Sequence, residues 1–141
     1  MAAPGMEILY PTFALAGLTL FCGFRMGFLR FSAVRRGELD PRYYRLYRDH
    51  EEPEYLRAIS RHVVNLHEAP ILFYAVSIIA FVTESVTILL IVLAWTYVAL
   101  RYAHSYIHLT SNKVLYRFRL FAVSQIVLLV LWVIVLLSLL R

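Results

Sequence analysis

Charge is scarce in this chain, and cysteine is almost absent. Only 16% of the 141 residues are charged while 61% are hydrophobic, a balance too apolar for an ordinary soluble domain and too short for several domains. Cys22 stands alone, which excludes an intrachain disulfide framework and a cysteine-based metal site, and it reads as a small buried hydrophobe. The few glycines form neither a phosphate-cradling loop nor a nucleophile elbow. No Glu-x-x-His pair is present, which disfavours a carboxylate-bridged di-iron centre. Internal repeats, low-complexity tracts and flexible linkers are missing, as are the short alternating segments of a membrane β-barrel. Met1 to Gly5 carries no Lys or Arg, and Glu7 is acidic. The first apolar run is therefore expected to be a permanent helix rather than a cleaved signal peptide. No arginine-rich leader supplies an organelle address.

What is abundant is long apolar sequence, with a mean hydropathy of +0.68. Four runs, at about 8–31, 58–82, 86–109 and 120–140, each reach the roughly 20 residues that a membrane helix needs. The expectation is an all-α integral membrane four-helix bundle occupying residues 1–141 as one domain. Arg30, Arg35, Arg36, Arg42, Arg45, Arg48 and Arg57 lie in or beside the first loop, and Lys113, Arg117 and Arg119 lie around the third. The tight second turn has only Glu84, and the C-terminus ends in Arg141. The positive-inside rule then puts both basic loops in the cytoplasm and both termini on the other side. Topology accounts for most of the net charge of +5, so nucleic-acid binding is not expected, whereas attraction to anionic membrane lipid is.

Within the first loop, Asp40 and Pro41 suit a helix cap and first helical position. Tyr43, Tyr44 and Tyr47 would then lie along a membrane surface. Glu51, Glu52, Pro53 and Glu54 suit the opening of the second membrane helix, because acidic groups favour a helix N-terminus.

Chemistry concentrates on the second and third spans. In RHVVNLHEAPILF, Arg61, Asn65 and Glu68 fall at i, i+4 and i+7, so one helix face carries a cation, an amide and a carboxylate. Such groups are costly in hydrocarbon and mark a binding or transport site, or else a buried salt bridge that fixes packing. Arg101, His104 and His108 share a face of the third span in the same way. Counted from the cytoplasmic helix ends, Glu68 and Arg101 both sit roughly 13 to 17 Å deep, so they could meet or share a ligand. The implied pocket is rich in cations, contains one carboxylate, and suits a ligand with more than one anionic group and an ammonium. Pro70 lacks an N–H and leaves the carbonyl of Leu66 free, as a packing kink or for a ligand. His62, His67, His104 and His108 leave axial ligation of a haem as a lesser alternative. No metal site is expected.

Arg61-x-x-x-Asn65-x-x-Glu68 followed by Pro70, then Arg101-x-x-His104-x-x-x-His108 and Arg117, resembles the membrane-associated proteins in eicosanoid and glutathione metabolism (MAPEG). The likeness extends over nearly the whole chain and is nearest to the glutathione transferase and prostaglandin E synthase branch. It implies a homotrimer of left-handed four-helix bundles, with glutathione as cosubstrate at subunit interfaces near the cytoplasmic side. By resemblance Arg61, Asn65 and Glu68 hold the glutathione backbone, with Glu68 on its ammonium and Arg61 on a carboxylate. Arg101 and His104 match further pocket positions, and one of Arg25, Arg30 and Arg35 supplies the first helix's contribution. Arg117 matches a cation near the thiol, where positive charge favours the nucleophilic thiolate. Two departures stand out. His108 replaces a common tyrosine, and Phe118 replaces a serine of the prostaglandin branch thought to assist the thiol.

The implied activity is a glutathione-dependent transferase or peroxidase acting on a lipophilic electrophile or hydroperoxide from the bilayer, with Arg117 and His108 as catalytic residues. The alternatives are a non-catalytic lipid-binding or scaffold protein of the same fold, and an accessory subunit of a larger membrane complex. The expected location is a bacterial inner membrane or the endoplasmic reticulum.

Overall fold

The computed structural model describes residues 5–47 and 52–140. Arg48, Glu51 and Arg141 lie outside the described residues. A short 3-10 turn, Met6–Ile8, leads into α1 (Leu9–Arg35). A single turn, α2 (Tyr43–Leu46), sits in the first loop, and α3 (Glu54–Glu68) and α4 (Ile71–Val82) together form the second span. The third and fourth spans are α5 (Ile88–Leu109) and α6 (Val114–Leu139). Among the described residues there is no strand. Four segments, Met6–Arg35, Glu54–Val82, Ile88–Leu109 and Val114–Leu139, are long and apolar enough to cross a membrane. The protein is a multi-pass four-helix membrane bundle.

Several element boundaries differ from the sequence reading, each for a local reason. The second span starts at Glu54, directly after Pro53, with an acidic side chain in its first turn. It is interrupted at Ala69 and Pro70, where proline has no N–H to continue the ladder; Ala69 N–H still donates to the Asn65 carbonyl, and the Pro70 carbonyl starts α4 by accepting from Tyr74 N–H. The fourth helix begins at Val114, well before position 120, so Arg117, Phe118 and Arg119 are helical. In the first loop the Asp40 carboxylate accepts from Arg42 N–H at 2.7 Å, which places Asp40 and Pro41 in the turn before α2 rather than at its start.

The core is built from one stripe of each helix. Leu15, Leu18 and Cys22 of α1 meet Ile59, Val63 and Leu66 of α3, Phe73 and Val76 of α4, Ala94 and Tyr97 of α5, and Leu128, Leu131 and Val135 of α6. Large apolar side chains also cover the outside, among them Phe13, Phe24, Phe28, Ile126, Leu129 and Leu136. In water such a surface would drive association; in a bilayer it faces lipid tails. At the basic end of the bundle a second, small core of Ala33, Leu39 and Leu56 seats the first loop. Arg30 anchors it further, with its guanidinium 3.5 Å from the Glu52 carboxylate, donating to Ser60 Oγ at 3.0 Å, and lying 5.1 Å from the Tyr44 ring centre.

Candidate functional site

Between α3, α5 and α6, toward the basic end, lies a cleft of about 380 Å³. Its polar lining comes from Arg61, Asn65 and Glu68 of α3, His104 and His108 of α5, and Arg117 of α6, and Val64, Val114, Phe118 and Phe121 close the apolar side. Helical periodicity explains the grouping, since each set lies on one face of its own helix and the three faces converge. A smaller hollow of about 210 Å³ adjoins it, sharing Arg61, His108 and Arg117 and adding Glu54, Arg57, Ala58 and Asn112. The whole opening therefore carries several cations against two carboxylates.

Arg101 departs from its expected place. It is fully buried and does not line the cleft. One guanidinium nitrogen, Nη2, donates to Asn65 Oδ1, and the group lies 5.8 Å from the Phe121 ring centre. Its Nε and Nη1 have no partner among the described residues. The expected meeting of Arg101 with Glu68 is thus corrected: the α3 residue one turn back, Asn65, intercepts the guanidinium, while Glu68 stays exposed at the cleft.

His104, His108 and His62 form a packed cluster, with ring centres 4.8 Å apart for His62 and His108, 5.8 Å for His104 and His108, and 6.0 Å for His62 and His104. Rings in such contact leave no slot for a porphyrin plane between them. Among the described residues no group of three His, Cys, Asp or Glu side chains is arranged to hold a metal ion. His62 is wholly buried, and neither of its ring nitrogens has a partner among the described residues. His104 Nδ1 lies 3.1 Å from the Arg117 carbonyl. A carbonyl can only accept, so that nitrogen carries the hydrogen.

Arg117 is held at its other end too, donating from Nη1 to Asn112 Oδ1 at 2.6 Å. Asn112 was missed at the level of sequence; its only signal there is an asparagine in a short inter-helix turn. None of the three candidate arginines of α1 lines the cleft. Arg30 is committed to Glu52 and Ser60, Arg35 lies 5.9 Å from the Phe31 ring centre, and Arg25 borders a separate groove between α1 and α5.

The donor set suits a ligand that carries both anionic groups and an ammonium. Exposed Arg61 and half-buried Arg117 can each take a carboxylate or thiolate, Glu68 can accept from an ammonium, and the Asn65 amide, its oxygen occupied by Arg101, presents its N–H groups. No curated protein and no solved structure matches the chain. A family model does, over residues 8–137, and by that match the chain belongs to the MAPEG family.

Proposed function

We propose that the protein is a glutathione-dependent membrane enzyme that conjugates or reduces a lipophilic electrophile or hydroperoxide arriving from the bilayer. The observation that carries this is the convergence of Arg61, Glu68, His108 and Arg117 on one cleft that is bordered by apolar Val64, Val114, Phe118 and Phe121. Bound there, glutathione would supply a nucleophilic sulfur. Arg61 and Glu68 fix the ends of a zwitterionic ligand by opposite charge. Arg117 places a positive charge in the cleft, which favours the deprotonated thiol. His108, buried beside it, is the group placed to accept the proton at an imidazole nitrogen. The phenylalanines shape an apolar approach for the second substrate.

The homotrimer belongs to the same proposal. Arg61 and Glu68 are exposed at membrane depth, and charges there favour a wet or protein-covered surface over lipid. A neighbouring copy's α1 would cover them and bring Arg25 or Arg35, both exposed here, toward the cleft. The basic loops face the cytoplasm in this arrangement.

Phe118 favours a second reading. It is 65% exposed, next to Arg117, and offers the sulfur no hydroxyl, which suits a lipid-binding scaffold without thiol chemistry. Titrating detergent-purified protein with glutathione while recording proton release separates the two. Binding with release of about one proton per site near neutral pH supports the enzyme. Binding without release supports the scaffold, and absence of binding removes glutathione from both.

A further inference from the structure

We infer that Asn112 is a positioning residue that aims Arg117 into the cleft; this rests on the reading of Arg117 as the cation that holds a thiolate. Asn112 stands in the α5–α6 turn with φ of 48°, a left-handed conformation that asparagine tolerates better than most residues. Its backbone N–H donates to the Ile107 carbonyl at 2.8 Å, which closes the end of α5 and fixes how the residue sits. From there Oδ1 accepts from Arg117 Nη1 across the turn. Both side chains border the hollow that leads into the cleft.

A hold of this kind has a physical purpose. An arginine near the end of a membrane helix extends toward headgroups when free, because its long stem lets the charge reach water. Arg61 borders the same cleft and repels it by like charge. The Asn112 amide, exposed in the turn at that same end, stops the reach at the mouth of the cleft, while His104 holds the Arg117 backbone carbonyl from the other side. Nε and Nη2 are left for a ligand, and Nε is buried without a partner among the described residues. The acceptor is also neutral. A carboxylate in its place would hold the guanidinium equally well but offset the charge that a thiolate needs, whereas an amide oxygen leaves that charge intact.

The test compares wild type with Asn112→Gly, Asn112→Asp and Arg117→Ala, using glutathione as the probe and reading both affinity and the ultraviolet thiolate signal as functions of pH. Glycine suits the left-handed backbone, so Asn112→Gly removes only the amide grip. The expected result is a bound-thiol titration midpoint raised by about half a unit or more, a roughly threefold fall in the thiolate-to-thiol ratio at a given pH, with affinity changed less than in Arg117→Ala. Asn112→Asp should raise the midpoint as well, although the guanidinium stays held. If Arg117→Ala removes the signal and Asn112→Gly leaves it at the wild-type midpoint, the positioning role is overturned while Arg117 keeps its own. An unshifted midpoint in Asn112→Asp overturns the role of the neutral acceptor. If Arg117→Ala itself keeps the full signal, the reading beneath the inference falls and takes it along.

Discussion

Replacing Asn65 by alanine should destabilise the bundle more than removing the charge it holds. Arg101 is a fully buried guanidinium whose one hydrogen-bonding partner among the described residues is the Asn65 side chain, with Nε and Nη1 unmet there. In Asn65→Ala the cation loses that bond and keeps its burial, and hydrogen bonds to charged groups are worth about 1.5 to 3 kcal/mol. An orphaned buried charge can cost more, about 3 to 5 kcal/mol, so a loss near 3 kcal/mol is expected. Arg101→Met removes the charge and keeps much of the volume packed near Phe121, leaving behind only an amide that borders the cleft. Its cost should stay below about 1.5 kcal/mol, as for a volume-conserving swap. The double variant should then resemble Arg101→Met, giving a coupling in the cycle equal to the Asn65→Ala loss, about 3 kcal/mol. Reversible denaturation in detergent, followed by circular dichroism, measures all four states. Equal stability of Asn65→Ala and wild type, or a larger loss in Arg101→Met, would refute the reasoning.

Further expectations follow from the same structure. Glu68→Gln and Arg61→Ala should each weaken glutathione binding by about 1.5 to 3 kcal/mol in calorimetry, with folding unchanged because both side chains are exposed. Glu38 accepts from Arg36 at 2.6 Å and from Tyr55 at 2.6 Å, and the Arg36 guanidinium beside it, followed by the Tyr55 hydroxyl, holds its carboxyl below the usual glutamate range. Its folded value is the lower one, so its small contribution to seating the loop is present above the unfolded value and lost as pH falls through the folded one; amide exchange around residues 36–39 should quicken below about pH 4, and less so in Glu38→Gln. In a Cys22→Ala background, single cysteines at Arg35 and Lys113 should be labelled from the cytoplasm and one at Glu84 from the opposite side. Labelling of positions 35 and 84 from one side would contradict the topology.

Much of this was legible because lipid imposes strict rules. A run of about 20 apolar residues has few fates other than a spanning helix, so the four spans and the all-α class followed from hydropathy. Helix periodicity also grouped Arg61 with Asn65 and Glu68, and His104 with His108, on the faces that now line one cleft. Periodicity gives a face, however, and not a depth within the core. That is why Arg101 was grouped with the ligand-facing residues although it packs behind Asn65. Hydropathy starts the fourth span near position 120, yet α6 begins at Val114 and carries Arg117 and Arg119, since arginine can sit on a helix and carry its charge toward water. Asn112 escaped notice because its contact depends on a left-handed backbone angle and one turn geometry, which no spacing pattern encodes.

The central claim is that the cleft turns a bound thiol into a thiolate by means of Arg117, and ultraviolet difference spectroscopy of glutathione binding tests it most directly. A thiolate band should appear on binding near neutral pH, lose most of its amplitude in Arg117→Ala, and diminish in His108→Phe, while binding through Arg61, Asn65 and Glu68 largely persists. Glutathione bound with no thiolate band, or a band unchanged in both variants, would contradict the enzymatic account and leave the scaffold in its place.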